Sequence, residues 1–313
     1  LLNESVNIVN LFIPKGEKVV ETKGRIKESN RVYYTLNPVS DKNIPLVVLV
    51  DGMSASASEI VSGSIQDLDR GVVIGETSFG KGLVQQTKDL DYNTKVKFTV
   101  AKYYTPSGRC IQKLDYTNKK DGKAEEVADS LLSTFTTKNG REVKDGRGVE
   151  PDVKVDAGYY SSLTASLMAK DVIFNYATNY KISHPEILEA KNYKVNDDNY
   201  KHFVSYALTQ EFDYKTATEE YFKQFKKIAE KEKYYLDAES EFEALLTQIE
   251  PNKTKDLEKY KTEIIEVLES EITSRYYYQK GRIEVSFKRD PYIKEAIRVL
   301  NDSELYKQIL EGK

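Results

Sequence analysis

The amino-acid sequence predicts an α/β domain followed by a mostly α-helical region. Fourteen of its 16 glycines precede residue 160, whereas 15 of its 23 tyrosines follow residue 165. Apolar residues occur in short runs bounded by turn residues in the first part and at helical spacing in the second. We therefore predict two domains, residues 1–157 and 158–313, in agreement with a typical domain size of about 150 residues.

The first part starts with apolar residues at helical spacing, which predict a short helix that ends near Pro14. Four further segments are predicted to be short strands: residues 17–22, 31–36, 94–104 and 149–155. Residues 113–148 are polar and rich in charge, so we expect a surface excursion or a partly mobile loop there.

A serine cluster lies where a strand is predicted to turn into a helix. An apolar, β-branched run at residues 46–50 is typical of a buried strand, and an Asp-Gly pair then turns the chain. Ser54, Ser56 and Ser58 follow, just where helical spacing begins. Unpaired N–H groups at a helix N-terminus stabilise an oxyanion, so this cluster is a candidate for nucleophilic catalysis. The alternative is a serine that only caps the helix.

A lysine between two glycines lies 25 residues after Ser56. It follows a second apolar strand, residues 71–75, in a loop expected at the edge of the same sheet. The glycines beside Lys81 allow its backbone to approach a neighbour closely. A free lysine has a pKa of about 10.4 and is neutral in only about 1 molecule in 2,500 at pH 7, so a lysine base must be desolvated. The alternative is a solvated loop lysine.

Histidine and cysteine offer few other catalytic groups. His184 and His202 lie more than a hundred residues past the serine cluster, in polar helical sequence, and are predicted to be surface residues. Cys110 has no histidine near it in sequence and is predicted to be a buried strand residue. Lysine is then the only base that the motif region offers, and a Ser-Lys pair is a known variant of the Ser-His-Asp triad.

Four segments together resemble the carboxyl-terminal processing peptidases, also called tail-specific proteases. They are SASASE from residue 54, FGKGLVQ from residue 79, AKYYTPSGRCIQ from residue 101 and GVEPDV from residue 148. The resemblance covers roughly residues 1–156. It implies a partial crotonase- or Clp-protease-like sheet domain, followed by a mostly α-helical C-terminal domain.

The resemblance also implies roles for individual residues by their position in the motifs. Ser56 would be the nucleophile, Lys81 the general base and Gln85 the residue that orients the lysine. The spacing of four residues places Lys81 and Gln85 on one face of either a strand or a helix. Glu59 would be a further site residue, and the Ala57 backbone N–H would be one oxyanion donor.

In the resembled family, a PDZ domain, the first half of the protease fold and a Gly-Gly turn that supplies the second oxyanion donor precede the matching segment. We therefore expect this chain to be a C-terminal fragment that is impaired in catalysis. The family context implies a bacterial protein in the periplasm or otherwise outside the cytoplasm, with polypeptides that have unstructured C-termini as substrates. Met53 departs from the family pattern, because many members have glycine there.

From residue 161 onward, apolar stripes at helical spacing predict packing surfaces, with clear examples at residues 242–249 and 257–272 and a last helix from Asp290. The charged faces mix both signs and suit solvated exteriors. Residues 276–278 are three tyrosines, which suit either a partner surface or a buried helix end. The role of such helical extensions varies in the resembled family, and self-association or adaptor binding is one expectation for this region.

Composition excludes several other classes of function. The net charge of −3 argues against nucleic acid as the main partner. No apolar run approaches the roughly 18 residues that a transmembrane helix needs. A single cysteine excludes an internal disulfide. Without a Cys/His cluster at zinc spacing or a phosphate-binding glycine loop, we predict no metal and no cofactor.

Three functions of different classes fit these observations. The first is an endopeptidase that forms an acyl-enzyme on Ser56. The second is a non-catalytic binding or scaffold module on the same fold, against which the combination of Ser56, Lys81 and Gln85 argues. The third is a non-peptidase acyl hydrolase or acyl-CoA enzyme of the crotonase-like superfamily, which explains the fold but not the Ser/Lys spacing.

Overall fold

The structure is a computed structural model that describes residues 2–313, apart from the side chains of residues 118 and 120. The chain divides into two compact units. Unit 1 contains the residues up to Ala157 together with Pro291–Lys313, and unit 2 contains Gly158–Asp290. Unit 1 combines sheets with helices, whereas unit 2 as described is built of helices. The predicted fold class, an α/β part followed by a mostly helical part, is confirmed.

The strands, all in unit 1, are β1 (Lys18–Lys23), β2 (Arg31–Tyr34), β3 (Val47–Val50), β4 (Val72–Gly75), β5 (Leu83–Asp89), β6 (Lys95–Tyr104), β7 (Leu114–Lys120), β8 (Lys123–Glu126), β9 (Thr134–Thr136), β10 (Glu142–Lys144) and β11 (Val153–Lys154). The helices are α1 (Leu2–Asn10), α2 (Ala57–Asp67), α3 (Ser162–Ala169), α4 (Val172–Ser183), α5 (Asp197–Ala207), α6 (Ala217–Lys231), α7 (Glu239–Ile249), α8 (Lys253–Lys259), α9 (Lys261–Ser286), α10 (Pro291–Asn301) and α11 (Ser303–Glu311). The helices α1, α2, α10 and α11 belong to unit 1.

Two sheets position the candidate site in unit 1. The antiparallel sheet has the strand order β2-β1-β6-β5, and the parallel sheet has the order β11-β4-β3. β4 is buried along its whole length, whereas Leu49 on β3 is 42% exposed because β3 lies at the edge of its sheet. The run at residues 46–50 is therefore a strand, as predicted, but only partly buried. Since β3 and β4 are parallel, the segments that follow them start at the same edge of the sheet.

Buried polar contacts orient helix α2, which begins just after Ser56. Near its C-terminal end, Asp67 Oδ1 lies 2.9 Å from Arg109 Nη2, and both side chains are at most 1% exposed. Arg109 Nη2 also donates to Gln66 Oε1 at 2.6 Å. The buried ion pair and the charge-assisted hydrogen bond to Gln66 together restrict the rotation of the helix about its axis.

Helices α10 and α11 pack on the parallel sheet of unit 1. Val299 on α10 is fully buried in a cluster with Val72 and Ile74 of β4. The Tyr306 hydroxyl donates to the Leu46 carbonyl at 3.1 Å and accepts the Leu46 N–H at 2.9 Å. The sequence analysis assigned both helices to the helical domain at residues 158–313. They lie in unit 1 because their apolar faces cover the buried strand β4.

The polar segment at residues 113–148 contains more regular structure than its composition predicts. β7 pairs with β8 and β9 pairs with β10, each as a two-stranded antiparallel sheet. Asp121 and Gly122, between β7 and β8, have φ values of 48° and 76°, as in the tight hairpin turns that Asp-Gly pairs favour. That dipeptide was the available sequence signal. The predicted strand at residues 149–155 is shorter than expected, since only Val153–Lys154 pairs as β11.

Unit 2 encloses an apolar core to which most of the predicted helical stripes contribute. Leu257, Ile264, Leu268 and Ile272 are all buried in it. Phe242 lies in a smaller cluster between α6 and α7. His184 and His202 are both exposed. Of the three consecutive tyrosines, Tyr276 packs against the core and Tyr278 is 81% exposed, so the segment is neither wholly buried nor wholly on the surface.

None of the helices within residues 2–313 combines the length and the apolar character that crossing a bilayer requires.

Candidate active site

Ser56 lies in a strained turn between β3 and α2. Its φ of 59° and ψ of −110° are rare for a residue with a side chain. A conformation of this kind costs on the order of 1–3 kcal/mol, so the surrounding contacts must hold it. Asp51 fixes the preceding residues, because its Oδ1 accepts the N–H groups of Met53 and Ser54 at 3.0 and 2.9 Å. A strained strand-to-helix turn also carries the nucleophile of α/β-hydrolases.

Hydrogen bonds from the backbone and from Glu59 cap the start of α2. The Glu59 N–H, which a capping serine hydroxyl would bind, donates to the Ser56 carbonyl at 3.0 Å. In the other direction, the Ser56 N–H donates to Glu59 Oε2 at 2.7 Å. Ser56 and Glu59 are thus the two residues of a capping box, so the capping role that the sequence offered as the alternative is present at this serine.

The Glu59 carboxylate joins the Ser56 turn to the loop that follows β4. Its side chain is fully buried and accepts four hydrogen bonds. Oε1 accepts the Ser78 hydroxyl and the Gly80 N–H, both at 2.6 Å. Oε2 accepts the N–H groups of Ser56 and Lys81, at 2.7 and 2.9 Å. A carboxylate has enough lone pairs for all four donors, so this buried cluster is fully satisfied.

The loop that carries Lys81 is held at each amide from residue 78 to residue 82. The Ser78 N–H donates to the Val149 carbonyl at 3.1 Å, and the Phe79 N–H donates to the Ser54 carbonyl at 2.9 Å. The N–H groups of Gly80 and Lys81 donate to Glu59, as described above. The Gly82 N–H donates to Gln112 Oε1 at 2.8 Å. Ser78 Oγ also accepts the Val149 N–H at 2.7 Å. Because every one of these amides is engaged, the Lys81 backbone has a fixed position relative to Ser56.

The two glycines beside Lys81 are required by close packing. Gly80 has a φ of 82°, and a Cβ added there would lie 2.4 Å from Lys113 Cβ. A Cβ added at Gly82 would lie 2.8 Å from the backbone nitrogen of Gln112. Real Cβ atoms do not approach other atoms this closely, so the loop can lie here only with glycine at these positions. The expectation of close backbone approach at this pair of glycines agrees with the structure.

The side chains of Lys81 and Gln85 are both exposed. Neither makes a hydrogen bond or an ion pair with another residue in the described part of the chain. Lys81 precedes Leu83, the first residue of β5, and the pairing of β5 with β6 is irregular between Val84 and Gln85. The argument that a spacing of four places Lys81 and Gln85 on one strand face does not apply to this geometry. An orienting role for Gln85 stays a prediction.

Ala57 is the first residue of α2. Within residues 2–313, its N–H makes no hydrogen bond to the protein. The first amides of a helix lack intrahelical acceptors and lie at the positive end of the helix dipole. The Ala57 N–H is therefore available as an oxyanion donor, the role that the resemblance implies for it.

Cys110 and the two histidines are other groups of the chain that could serve as nucleophile or base. Cys110 is partly buried, and burial raises the pKa of its thiol, which disfavours the reactive thiolate. The two histidines lie in unit 2. Across the described residues, no group of three or more His, Cys, Asp or Glu side chains is arranged to hold a metal ion.

The structure adds residues to the site that the sequence analysis did not single out. Ser78 and Gln112 hold the Lys81 loop, and the Tyr103 hydroxyl lies within hydrogen-bonding distance of the backbone carbonyls of both Ser56 and Lys81, between which it shares its proton. Gln112 and Tyr103 belong to the AKYYTPSGRCIQ segment that carries part of the resemblance. Spacing alone could not assign them, because they reach the site only once β6 lies beside β5.

Two protein-family models match parts of this chain. Residues 1–119 match the model of peptidase family S41, and residues 163–300 match the probable PDZ-protease C-terminal helical domain. A carboxy-terminal-processing protease of Bartonella bacilliformis is 43% identical over 119 residues, which are 37% of this chain and 27% of that protein. A probable CtpA-like serine protease of Staphylococcus haemolyticus is 30% identical over 202 residues, 64% of this chain and 34% of that protein.

Among solved structures, the photosystem II D1 C-terminal processing protease is 30% identical, with a TM-score of 0.36 over 50% of this chain and 31% of that one. The chain thus spans about a quarter to a third of the length of these relatives. The resemblance to the carboxyl-terminal processing peptidases is confirmed by the two family models and by these relatives.

Proposed function

We propose that this chain carries the nucleophile and the base of a serine-type endopeptidase that cleaves polypeptides with unstructured C-termini, with Ser56 as nucleophile and Lys81 as base. The observation that carries the proposal is the buried Glu59 carboxylate, which binds the backbone of both residues through one oxygen. The match of residues 1–119 to a peptidase family model also supports the proposal.

In this proposal, Ser56 Oγ attacks the scissile carbonyl carbon while its proton passes to the neutral Lys81 amine. The C–N bond then breaks, the Lys81 ammonium group returns the proton to the leaving amine, and an acyl ester remains on Ser56. A water molecule then gives a proton to Lys81 and attacks the acyl carbon. The ester C–O bond breaks, Lys81 returns the proton to Ser56 Oγ, and the acyl group leaves as a carboxylic acid. The Ala57 N–H donates a hydrogen bond to the oxyanion in both tetrahedral intermediates.

Because the Lys81 side chain is exposed, we propose that the bound substrate removes water from its amine. A lysine must lose contact with water to act as a base near neutral pH. Met53 and Phe79 are 82% and 48% exposed, and the Phe79 N–H donates to the carbonyl of Ser54, the residue after Met53. These two apolar side chains offer a surface for an apolar, unfolded polypeptide segment. Such a segment would cover Lys81 and exclude water from it.

The proposal is tested by cleavage of an unfolded polypeptide with an apolar C-terminus, with this chain produced together with any sequence that flanks it in its gene. Ser56→Ala and Lys81→Ala are each expected to abolish cleavage without loss of the fold. Ser58→Ala and Lys88→Ala are controls, because Ser58 lies in the first turn of α2, Lys88 is an exposed lysine of β5, and neither is assigned a role in the site. Normal cleavage by Ser56→Ala or by Lys81→Ala would refute the assignment.

Mass spectrometry of the products separates this proposal from the two other functions. New peptide termini indicate an endopeptidase. Hydrolysis of small esters or thioesters without peptide cleavage would indicate an acyl hydrolase, and binding without any cleavage would indicate a scaffold module. A location outside the bacterial cytoplasm and partner binding by the helical region stay predictions of the resemblance.

A further inference from the structure

The Tyr103 hydroxyl lies between the two backbone segments that carry the proposed catalytic residues. It is 3.1 Å from the Ser56 carbonyl oxygen and also donates to the Lys81 carbonyl oxygen, to which it lies closer. Ser56 and Lys81 are 25 residues apart in sequence and belong to different loops. A single side chain on β6 therefore contacts both loops at the residues that matter for the reaction.

Tyr103 is well suited to a fixed role as a hydrogen-bond donor. It is 2% exposed, and its backbone N–H donates to the Gly82 carbonyl at 3.0 Å, next to Lys81. Burial, followed by the nearby Glu59 carboxylate, raises the pKa of Tyr103 far above its usual range. The hydroxyl therefore keeps its proton at any pH at which the protein works, and it can neither act as a base nor become a phenolate.

The contacts of Tyr103 complement those of Glu59. Glu59 Oε2 accepts the N–H groups of Ser56 and Lys81, and the single O–H proton of Tyr103 is shared between the C=O groups of the same two residues. The N–H groups of both residues thus share one buried acceptor, and their C=O groups both face one buried hydroxyl, although the Ser56 carbonyl also accepts the N–H groups of Glu59 and Ile60. We define this arrangement of Glu59 and Tyr103 as the backbone clamp.

We propose that Tyr103 is a positioning residue of the reaction described above, and that its hydroxyl sets the separation between the Ser56 turn and the Lys81 loop. This inference rests on the proposed function. A phenylalanine at position 103 would fill the same space in the core, so packing alone does not require the hydroxyl. Displacement of a reacting group by about 1 Å costs on the order of 100-fold in rate.

The test is Tyr103→Phe, measured for kcat and KM on the unfolded polypeptide and normalised by the fraction of folded protein at the assay temperature. We expect kcat to fall by about 10- to 100-fold with KM nearly unchanged, because the substrate surface is untouched while the two catalytic residues lose their spacing. Tyr33→Phe is the matched control. Tyr33 packs against the same core, and its hydroxyl has no hydrogen bond within the described residues.

Hydrogen exchange supplies a readout that does not depend on activity. In Tyr103→Phe, the amides of residues 80–82 are expected to exchange at least about tenfold faster, since the loop loses a buried contact. Unchanged kcat, or unchanged exchange at residues 80–82, would overturn the positioning role even if Ser56→Ala is inactive and the proposed function stands. If Ser56→Ala cleaves normally, the proposed function fails and the positioning role fails with it.

Discussion

Glu59 Oε2 accepts the backbone N–H of Lys81 at 2.9 Å, although the two residues are 22 positions apart. The same oxygen accepts the N–H of Ser56. The start of α2 and the loop after β4 are therefore tied together through one buried carboxylate, before any side chain of the proposed dyad takes part.

Glu59→Gln should weaken both the fold and the site. An amide offers one acceptor oxygen in place of two, and its NH2 group would face backbone N–H groups. Leaving buried donors unpaired in this way lowers the free energy of unfolding by about 3 kcal/mol, and peptide cleavage should fall at least about 100-fold. Chemical denaturation and cleavage assays measure the two effects.

Glu76→Gln is the control for this change. Glu76 Oε1 accepts only the Tyr292 hydroxyl among its described contacts, at 3.0 Å, and an amide oxygen can replace it there. We expect a loss of less than about 1 kcal/mol. Equal effects at positions 59 and 76 would show that the four contacts of Glu59 have no special importance.

Gly80→Ala should displace the Lys81 loop. An alanine there has an unfavourable positive φ and a Cβ only 2.4 Å from Lys113 Cβ. Gly16→Ala has the same backbone cost, with a φ of 93°, but nothing lies within 4 Å of the added atom. Both variants should lose about 1–2 kcal/mol of stability from the backbone. Only Gly80→Ala should also lose most of its activity; retained activity would mean that the loop tolerates movement.

Cys110 should be dispensable and slow to react. Burial raises the pKa of its thiol above the ordinary value of 9.0, so the thiolate is scarce at pH 8 in the folded state. Alkylation should be slower in the native protein than in denaturant, and Cys110→Ser should retain cleavage. The unfolded thiol ionises at lower pH than the folded one. Ionisation of Cys110 therefore leaves the free energy of unfolding unchanged below about pH 8 and lowers it as the pH rises through about 9. Rapid native alkylation or an inactive Cys110→Ser variant would contradict this.

Val299→Ala should destabilise unit 1. Val299 is fully buried against Val72 and Ile74 of β4, so the smaller side chain leaves a cavity that costs about 2 kcal/mol. Ile297→Ala on the same helix is the control, because Ile297 is 54% exposed. Thermal unfolding measures the difference. Equal, small effects would mean that α10 does not complete the core of unit 1.

Local patterns predicted the elements around the site well. The strand-turn-helix at residues 46–67 and the glycine-flanked loop depend on neighbouring residues, so they could be identified from the sequence. The clamp could not, because Glu59 and Tyr103 meet Lys81 only through the pairing of distant strands. The hairpins at residues 113–148 were missed because their strands contain many charged residues. The packing of helices α10 and α11 on the parallel sheet was also missed, because helical spacing does not identify the surface that a helix covers.

Detection of the acyl-enzyme tests whether Ser56 is the nucleophile. The protein is mixed with a slowly hydrolysed peptide ester, quenched in acid, and analysed by mass spectrometry after digestion. We expect the acyl mass on the peptide that contains Ser56, and we expect it to be lost in Ser56→Ala but not in Ser58→Ala. An acyl group on another residue, or continued turnover by Ser56→Ala, would contradict Ser56 as the nucleophile.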